Sequence, residues 1–184
     1  MHKKLIKYIE SCDRIEDVNT CMFIPNGGMI VLFNKEHKCK ITIENTSYDV
    51  DSFQTILLNA YIYPLQLKST ENINMLAVRF KGAGASFFYE EYMDELMYNP
   101  NQPIYLENNE RIDDLGPYFL NRLKVGSLPF NIMKIIDLLD NQGSDFNIDE
   151  VLRLANVPRK ILDKIFRLRV GMSFKNYAGI KELK

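Results

Sequence analysis

The stretch IDEVLRLANVPRKILDKIFRLRVGMSFKNY, residues 148–177, decides how the fold of this chain is interpreted. Its apolar residues recur at i, i+3 and i+4, the spacing of helices with one buried face. Residues 156–158 (Asn-Val-Pro) interrupt this pattern, because Asn accepts the left-handed backbone of a tight turn and Pro suits the first positions of a helix. Gly171 is typical of a helix end and Ser173 of a helix start. The stretch predicts two short helices joined by a tight turn, followed by a third helix.

Positive charge is concentrated in the same region. Residues 151–184 contain nine Lys or Arg and two acids, a net charge of +7, whereas the first 150 residues carry −8. A basic segment on an acidic body predicts a polyanionic partner, and a basic second helix after a tight turn is the geometry of a helix-turn-helix. A solvated charged face is the alternative interpretation. The DNA-binding interpretation places Arg159, Lys160 and Lys164 at the major groove of double-stranded DNA, and Arg167, Arg169 and Lys175 near its phosphates.

Upstream of residue 84 the apolar residues follow the pattern of strands. Residues 29–33 form a continuous apolar run, and residues 40–44 alternate polar with apolar side chains. Similar short runs lie at 56–58, 65–67 and 75–80. Turn residues at 69–72 separate two of these runs. Strands at this spacing predict an antiparallel barrel or sandwich, preceded by a short helix or arm over residues 1–20.

Between this region and the C-terminal stretch the pattern is helical. Ile112, Leu115, Phe119 and Leu123 follow the spacing of one buried helix face, and residues 130–139 repeat it. We therefore predict an α+β fold, with an antiparallel, cupin-like β-barrel or sandwich, then helices, then a C-terminal helix-turn-helix. The predicted domains are a β-rich sensing or dimerisation domain with trailing helices over residues 1–143, and a helix-turn-helix domain over residues 144–184.

The sequence supplies neither a catalytic constellation nor a metal site. His2 and His37 are too few for the metal centre of a cupin enzyme, and the acidic run at 90–95 is typical of a solvated helix face. Three scattered cysteines include no CxxC pair and predict buried free thiols. We expect no enzymatic activity, no catalytic residue, no metal and no cofactor.

Two further features concern location and effector. No apolar run approaches the roughly 20 residues that span a bilayer, and the N-terminus lacks the pattern of a signal peptide, so we expect a cytoplasmic protein without membrane contact. Tyr61, Tyr63, Phe80 and Phe87 are candidates for lining a pocket for a small apolar effector inside the sheet. Ordinary core packing is the alternative role for these rings.

Residues 148–177 resemble the helix-turn-helix of the AraC/XylS family of transcription regulators. The family has Leu and Phe four positions apart in the second helix, then Gly, Ser and Tyr. These positions are filled by Leu162, Phe166, Gly171, Ser173 and Tyr177. Pro158 stands where a Ser or Thr cap is usual, and Leu152 stands where a small Ala is usual.

The N-terminal part is similar to the N-terminal domain of one AraC subgroup. In that subgroup a Pro-Asp/Asn-Gly turn precedes the first core strand, as at residues 25–27, and an Arg-Phe-x-Pro-Gly-Gly-Ala stretch closes the sheet. Residues 79–85 match this second stretch, although Lys81-Gly82 departs from the usual order.

The resemblance implies a DNA-binding transcription regulator with a domain for effector sensing or dimerisation, and a homodimer formed through the helices near residues 112–139. Family members generally carry two helix-turn-helix units, and this chain ends inside what would be the linking helix, so we expect only the first unit here. The alternative function is a ligand-sensing or protein-interaction module that does not bind DNA independently.

Overall fold

The computed structural model describes residues 8–23, 28–59, 64–99, 101–106, 112, 114–124, 134–139 and 148–182. The strands in these ranges are β1 Ile9–Phe23, β2 Ile30–Asn34, β3 Cys39–Ile43, β4 Thr46–Val50, β5 Thr55–Leu58, β6 Leu65–Phe80 and β7 Ile104–Leu106. The helices are α1 Met93–Tyr98, α2 Leu115–Arg122, α3 134–139, α4 Ile148–Ala155, α5 Arg159–Val170 and α6 Phe174–Glu182, with two 3-10 segments at Gly82–Phe87 and Glu90–Tyr92. In the described ranges, no helix combines the length and apolar character needed to cross a bilayer.

The strands form one antiparallel sheet in the order β4-β3-β6-β2-β5-β7, and β1 pairs with β6 outside this path. The 16-residue strand β6 organises the sheet, because its first half pairs with β3 and its second half with β2. Strand β1 pairs with both halves of β6 and therefore occupies the opposite edge of that strand.

The two end strands of the path, β4 and β7, are bridged by tyrosine side chains. The Tyr48 hydroxyl donates to the Asn101 carbonyl at 3.1 Å, and the Tyr105 hydroxyl donates to the Asp49 carbonyl at 3.0 Å. The sheet is thus a curled half-barrel in which side chains connect the end strands. The predicted antiparallel sheet is confirmed, as a half-barrel.

Strand β2 is buried on both faces. Ile30 and Leu32 belong to an apolar cluster built from strand residues, whereas Val31 and Phe33 belong to a second cluster shared with the helices. The continuous apolar run at residues 29–33 follows from this position, since a strand covered on both sides has no polar face.

Two predictions for the N-terminal half are wrong. Residues 9–20 lie in β1 and form no helix, and residues 69–72 continue β6 without a turn. The first difference arises from the pairing of β1 with β6, which runs antiparallel from Ile9 opposite Phe80 to Phe23 opposite Leu65. Residues 69–72 extend β6 between two paired stretches, because the register with β1 shifts from Val18 opposite Ile73 to Thr20 opposite Lys68.

The helices cover one face of the sheet and share its core. Phe119 of α2 and Ile135, Ile136 and Leu139 of α3 are buried in the same cluster as Val31 and Phe33. The apolar faces expected to mediate dimerisation are thus buried within the chain, and the homodimer prediction rests on the family resemblance. The predicted domain boundary at 143/144 lies outside the described residues.

The three cysteines are free thiols in different environments. Cys39 is buried, Cys21 is partly buried and Cys12 is exposed, so the prediction of buried thiols holds fully only for Cys39. Burial raises the pKa of Cys39 to about 12.

We therefore expect thiol alkylation of the native protein at pH 8 to start at Cys12 and to reach Cys39 only after denaturation, because the thiolate is the reactive form and must be accessible. Peptide mass mapping over time measures the order. Cys12→Ser should remove the first modification event. Alkylation of Cys39 in the folded protein at the rate of Cys12 would contradict the buried position of β3.

Candidate nucleic-acid interface

The turn between α4 and α5 has the predicted backbone. Asn156 has a left-handed conformation with φ 49, and Pro158 directly precedes the first residue of α5. At the other end of α5, Gly171 has φ 83, and its amide donates to the carbonyls of Phe166 and Arg167 at 3.2 Å. The sequence predictions for Asn156 and Gly171 are confirmed.

The buried face of α5 fixes its orientation. Leu162, Phe166 and Val170 are fully buried, and the helix packs against the 3-10 segment Gly82–Phe87 and against α1. The Phe166 ring centroid lies 5.2 Å from that of Phe174 and 5.6 Å from that of Tyr177 in α6. These aromatic contacts join α5 and α6 into one unit beneath the exposed side of α5.

Two side chains cap the start of α6. The Ser173 hydroxyl accepts a hydrogen bond from the Asn176 amide at 3.1 Å, as the sequence predicts for an N-cap. Asp163 of α5 accepts from the Phe174 amide at 3.0 Å through Oδ1 and from Arg167 Nε at 3.0 Å through Oδ2. Asp163 is absent from the predicted site residues. The sequence does contain a signal for it, since a single acid in the middle of a cationic helix indicates that the carboxylate accepts hydrogen bonds from neighbouring groups.

Four of the six predicted DNA-contacting side chains are exposed and make no ion pair among the described residues. Arg159, Lys160 and Lys164 lie on the first half of α5, and Lys175 lies near the start of α6. Nothing in the described part of the chain covers them. Their ammonium and guanidinium groups can therefore meet an external anion directly.

The other two predicted contacts are engaged within the chain. Arg167 pairs with Asp163 one turn away, and Arg169 Nη1 lies 2.6 Å from Glu90 Oε1 in the second 3-10 segment. The Arg169 side chain is 33% exposed, so part of its guanidinium remains accessible. The acidic run expected to be a solvated face thus supplies the partner of a cation in α5.

A buried amide connects the end of α5 to the sheet. Asn59, directly after β5, donates through Nδ2 to the carbonyls of Leu96 in α1 and of Gly171, both at 3.0 Å. A Cβ atom added at Gly171 would overlap Asn59 Oδ1. Gly171 is therefore required both by its backbone conformation and by the close approach of Asn59, a residue that the sequence analysis missed because its partners are distant in sequence.

The predicted effector-pocket residues are only partly described. Phe80 and Phe87 are buried among aromatic rings, with Phe80 5.5 Å from Phe88 and Phe87 4.5 Å from Tyr8 between ring centroids. Tyr61 and Tyr63 lie outside the described residues. Two surface depressions on the sheet are lined by other residues, one by Lys38, Lys40 and Lys68 among others, and one by Met22, Thr42 and Gln66 among others.

Comparisons with known proteins support the fold. Neither a protein-family model nor a curated protein matches the sequence. Among solved structures, ToxT from Vibrio cholerae is similar over 95% of this chain and 80% of that chain, at 13% identity with a TM-score of 0.52. A ToxT structure bound to (E)-4-(8-methylnaphthalen-1-yl)but-3-enoic acid matches over 95% of this chain and 81% of that chain, at 16% identity with a TM-score of 0.53.

A third ToxT structure, with an unsaturated fatty acid bound, matches over 95% of this chain and 78% of that chain, at 12% identity with a TM-score of 0.52. At these identities the comparisons show a common fold, a curled antiparallel sheet with packed helices. The chain therefore has a fold like that of ToxT.

Two glycine substitutions test the contact between Asn59 and the end of α5. Gly171→Ala should lower the free energy of unfolding by about 2 kcal/mol or more, because a Cβ atom is strained at positive φ and also displaces Asn59. Gly179→Ala is the matched control, since no neighbouring atom lies within 4 Å of a Cβ at that position in α6. It should raise stability by about 0.5–1 kcal/mol. Urea unfolding measures both, and equal effects would contradict the close contact at Gly171.

Proposed function

We propose that this chain is a DNA-binding transcription regulator of the AraC type, in which α4, the turn at 156–158 and α5 act as a helix-turn-helix. The observation that carries the proposal is the exposure of Lys160 and Lys164 on a helix whose opposite face is anchored by Leu162 and Phe166, together with the exposure of Arg159 at the first position of that helix. In helix-turn-helix proteins the N-terminal residues of the second helix contact base edges in the major groove. These three cations occupy that part of α5.

The cations of the unit have different roles in this proposal. Arg159, Lys160 and Lys164 approach the bases, while Arg167 and Lys175 lie closer to phosphates. Arg169 contributes less than a free arginine, because Glu90 already neutralises part of its charge at 2.6 Å. Most of the contacts that a protein makes with DNA set its position on the duplex, and few of them recognise the sequence. Loss of any single phosphate contact should therefore weaken binding to all duplexes by the same factor.

The N-terminal domain is the proposed sensor of a small apolar effector. ToxT structures hold an unsaturated fatty acid or an aryl butenoic acid, both of which have an apolar body. The inner cluster of this sheet is built from apolar side chains, among them Leu32, Ile41 and Leu67. Asn59 links the sheet to Gly171, so a change in sheet packing has a direct route to the end of α5.

A homodimer is the proposed DNA-binding species. A specific site is usually bound about 4–10 kcal/mol more tightly than non-specific DNA, and one short helix contacts few base pairs. Two copies of the chain would present two copies of α5 to a site with two-fold symmetry.

DNA binding is tested by fluorescence anisotropy with a labelled mixed-sequence duplex. If about four phosphates are neutralised, affinity should fall about 100-fold between about 50 mM and 200 mM salt. The triple variant Arg159→Ala, Lys160→Ala, Lys164→Ala should abolish binding, because it removes the exposed cations at the start of α5.

The matched control removes the same number of charges from the sheet, as Lys38→Ala, Lys40→Ala, Lys68→Ala, and should bind like the unmodified chain. Equal loss in both triple variants would show that only overall charge matters. If the unmodified chain does not bind the duplex even at low salt, the ligand-sensing or protein-interaction function replaces the proposed one.

Effector sensing is tested by thermal unfolding with oleic acid below its micelle concentration. A ligand at about 100 times its Kd stabilises the folded state by about 2.7 kcal/mol, which should raise Tm by about 5–10 °C in a chain of this size. A dicarboxylic acid of equal length is the control, since its second charged end opposes entry into an apolar site. An unchanged Tm with oleic acid would reject this class of effector.

A further inference from the structure

Ile161 is a large apolar side chain on the exposed side of α5. It is the third residue of the helix and 45% exposed. With about 100° of rotation per residue, Ile161 lies about 60° from Lys164 and about 140° from the buried Phe166 around the helix axis. Ile161 therefore lies on the same side of α5 as Lys164 and does not belong to the core cluster that anchors the helix.

The chemistry of the major groove offers one apolar group to such a side chain. Guanine, cytosine and adenine present hydrogen-bond donors and acceptors there, whereas thymine also presents its C5-methyl group. An isoleucine among cations gains nothing from a phosphate or a polar base edge, but it can remove a thymine methyl from water. The adjacent Lys160 and Lys164 would hold the helix against the duplex.

We propose that Ile161 is a specificity-determining residue that contacts a thymine C5-methyl group and so selects thymine at one position of the bound site. The inference rests on the proposed function, since it requires α5 to lie in the major groove. It goes further by assigning a base preference to a residue without charge or hydrogen-bonding groups.

Leu154 provides a matched comparison within the same unit. It is also 45% exposed, but it lies in α4 before the turn. In helix-turn-helix complexes the first helix crosses the DNA backbone and the second enters the groove. An exposed apolar side chain on α4 should therefore make no contact with the methyl group of a base, and its removal should not change the effect of that methyl group on affinity.

The test starts with selection of preferred duplexes from a random pool by the unmodified chain. Each thymine of the selected site is then replaced by uracil, which removes the methyl group and keeps base pairing. At one thymine the replacement should weaken binding about fourfold, the effect of exposing one buried methyl-sized group. Ile161→Ala should bind the thymine and uracil duplexes equally, while Ile161→Val and Leu154→Ala should keep most of the fourfold difference.

The outcomes separate this inference from the proposed function. If the chain binds no duplex, the proposed function fails and the inference with it. Three results would overturn the inference and leave DNA binding intact. The selected site could contain no preferred thymine, or no uracil replacement could change the affinity. In the third case, Ile161→Ala would keep the fourfold difference between the thymine and uracil duplexes. Urea unfolding of Ile161→Ala verifies that the variant remains folded.

Discussion

The side-chain amide of Asn59 is the interaction on which the arrangement of this protein depends. It follows β5, is buried, and donates to the carbonyls of Leu96 in α1 and of Gly171 at the end of α5. Buried carbonyls that lose a donor cost roughly 1–3 kcal/mol each, so this single amide stabilises the meeting point of sheet, first helix and cationic helix. The left-handed backbone of Gly171 lets the chain approach Asn59 closely and then turn into α6. This contact fixes the C-terminal end of α5, while the buried side chains of Leu162, Phe166 and Val170 determine which face of the helix is exposed.

The electrostatics of the chain follow from the same packing. The acidic N-terminal part and the basic C-terminal part meet where Glu90 contacts Arg169. This ion pair uses a cation near the C-terminal end of α5. The cations near the N-terminal end have no ion-pair partner among the described residues. The free positive charge is therefore displaced toward the N-terminal end of the helix, where a helix-turn-helix approaches the bases.

The curled sheet is built around one long strand. Strand β6 belongs to both halves of the sheet, since it pairs with β3 at one end and with β2 at the other. The edges β4 and β7 are connected by hydrogen bonds from two tyrosine hydroxyls. Each of these single bonds constrains the edges less than a continuous backbone ladder would. In the proposed function, a change in the apolar cluster inside the sheet reaches α5 through β5 and Asn59, because β5 contributes Ile56 and Leu58 to this cluster and Leu57 to the separate cluster that contains the buried face of α5.

The sequence alone determined the features that depend on neighbouring residues. The turn at Asn156, the ends of α5 and α6 at Gly171 and Ser173, the buried strand β2 and the exposure of Arg159, Lys160 and Lys164 all follow from local backbone preferences and apolar spacing. Tertiary structure alone decided that residues 9–20 form a strand along β6, that Arg169 pairs with Glu90, and that Asn59 holds Gly171. Each of these joins residues more than forty positions apart. The spacing of residues along a chain indicates which face of an element is apolar, but it carries no information on which distant group will contact that face.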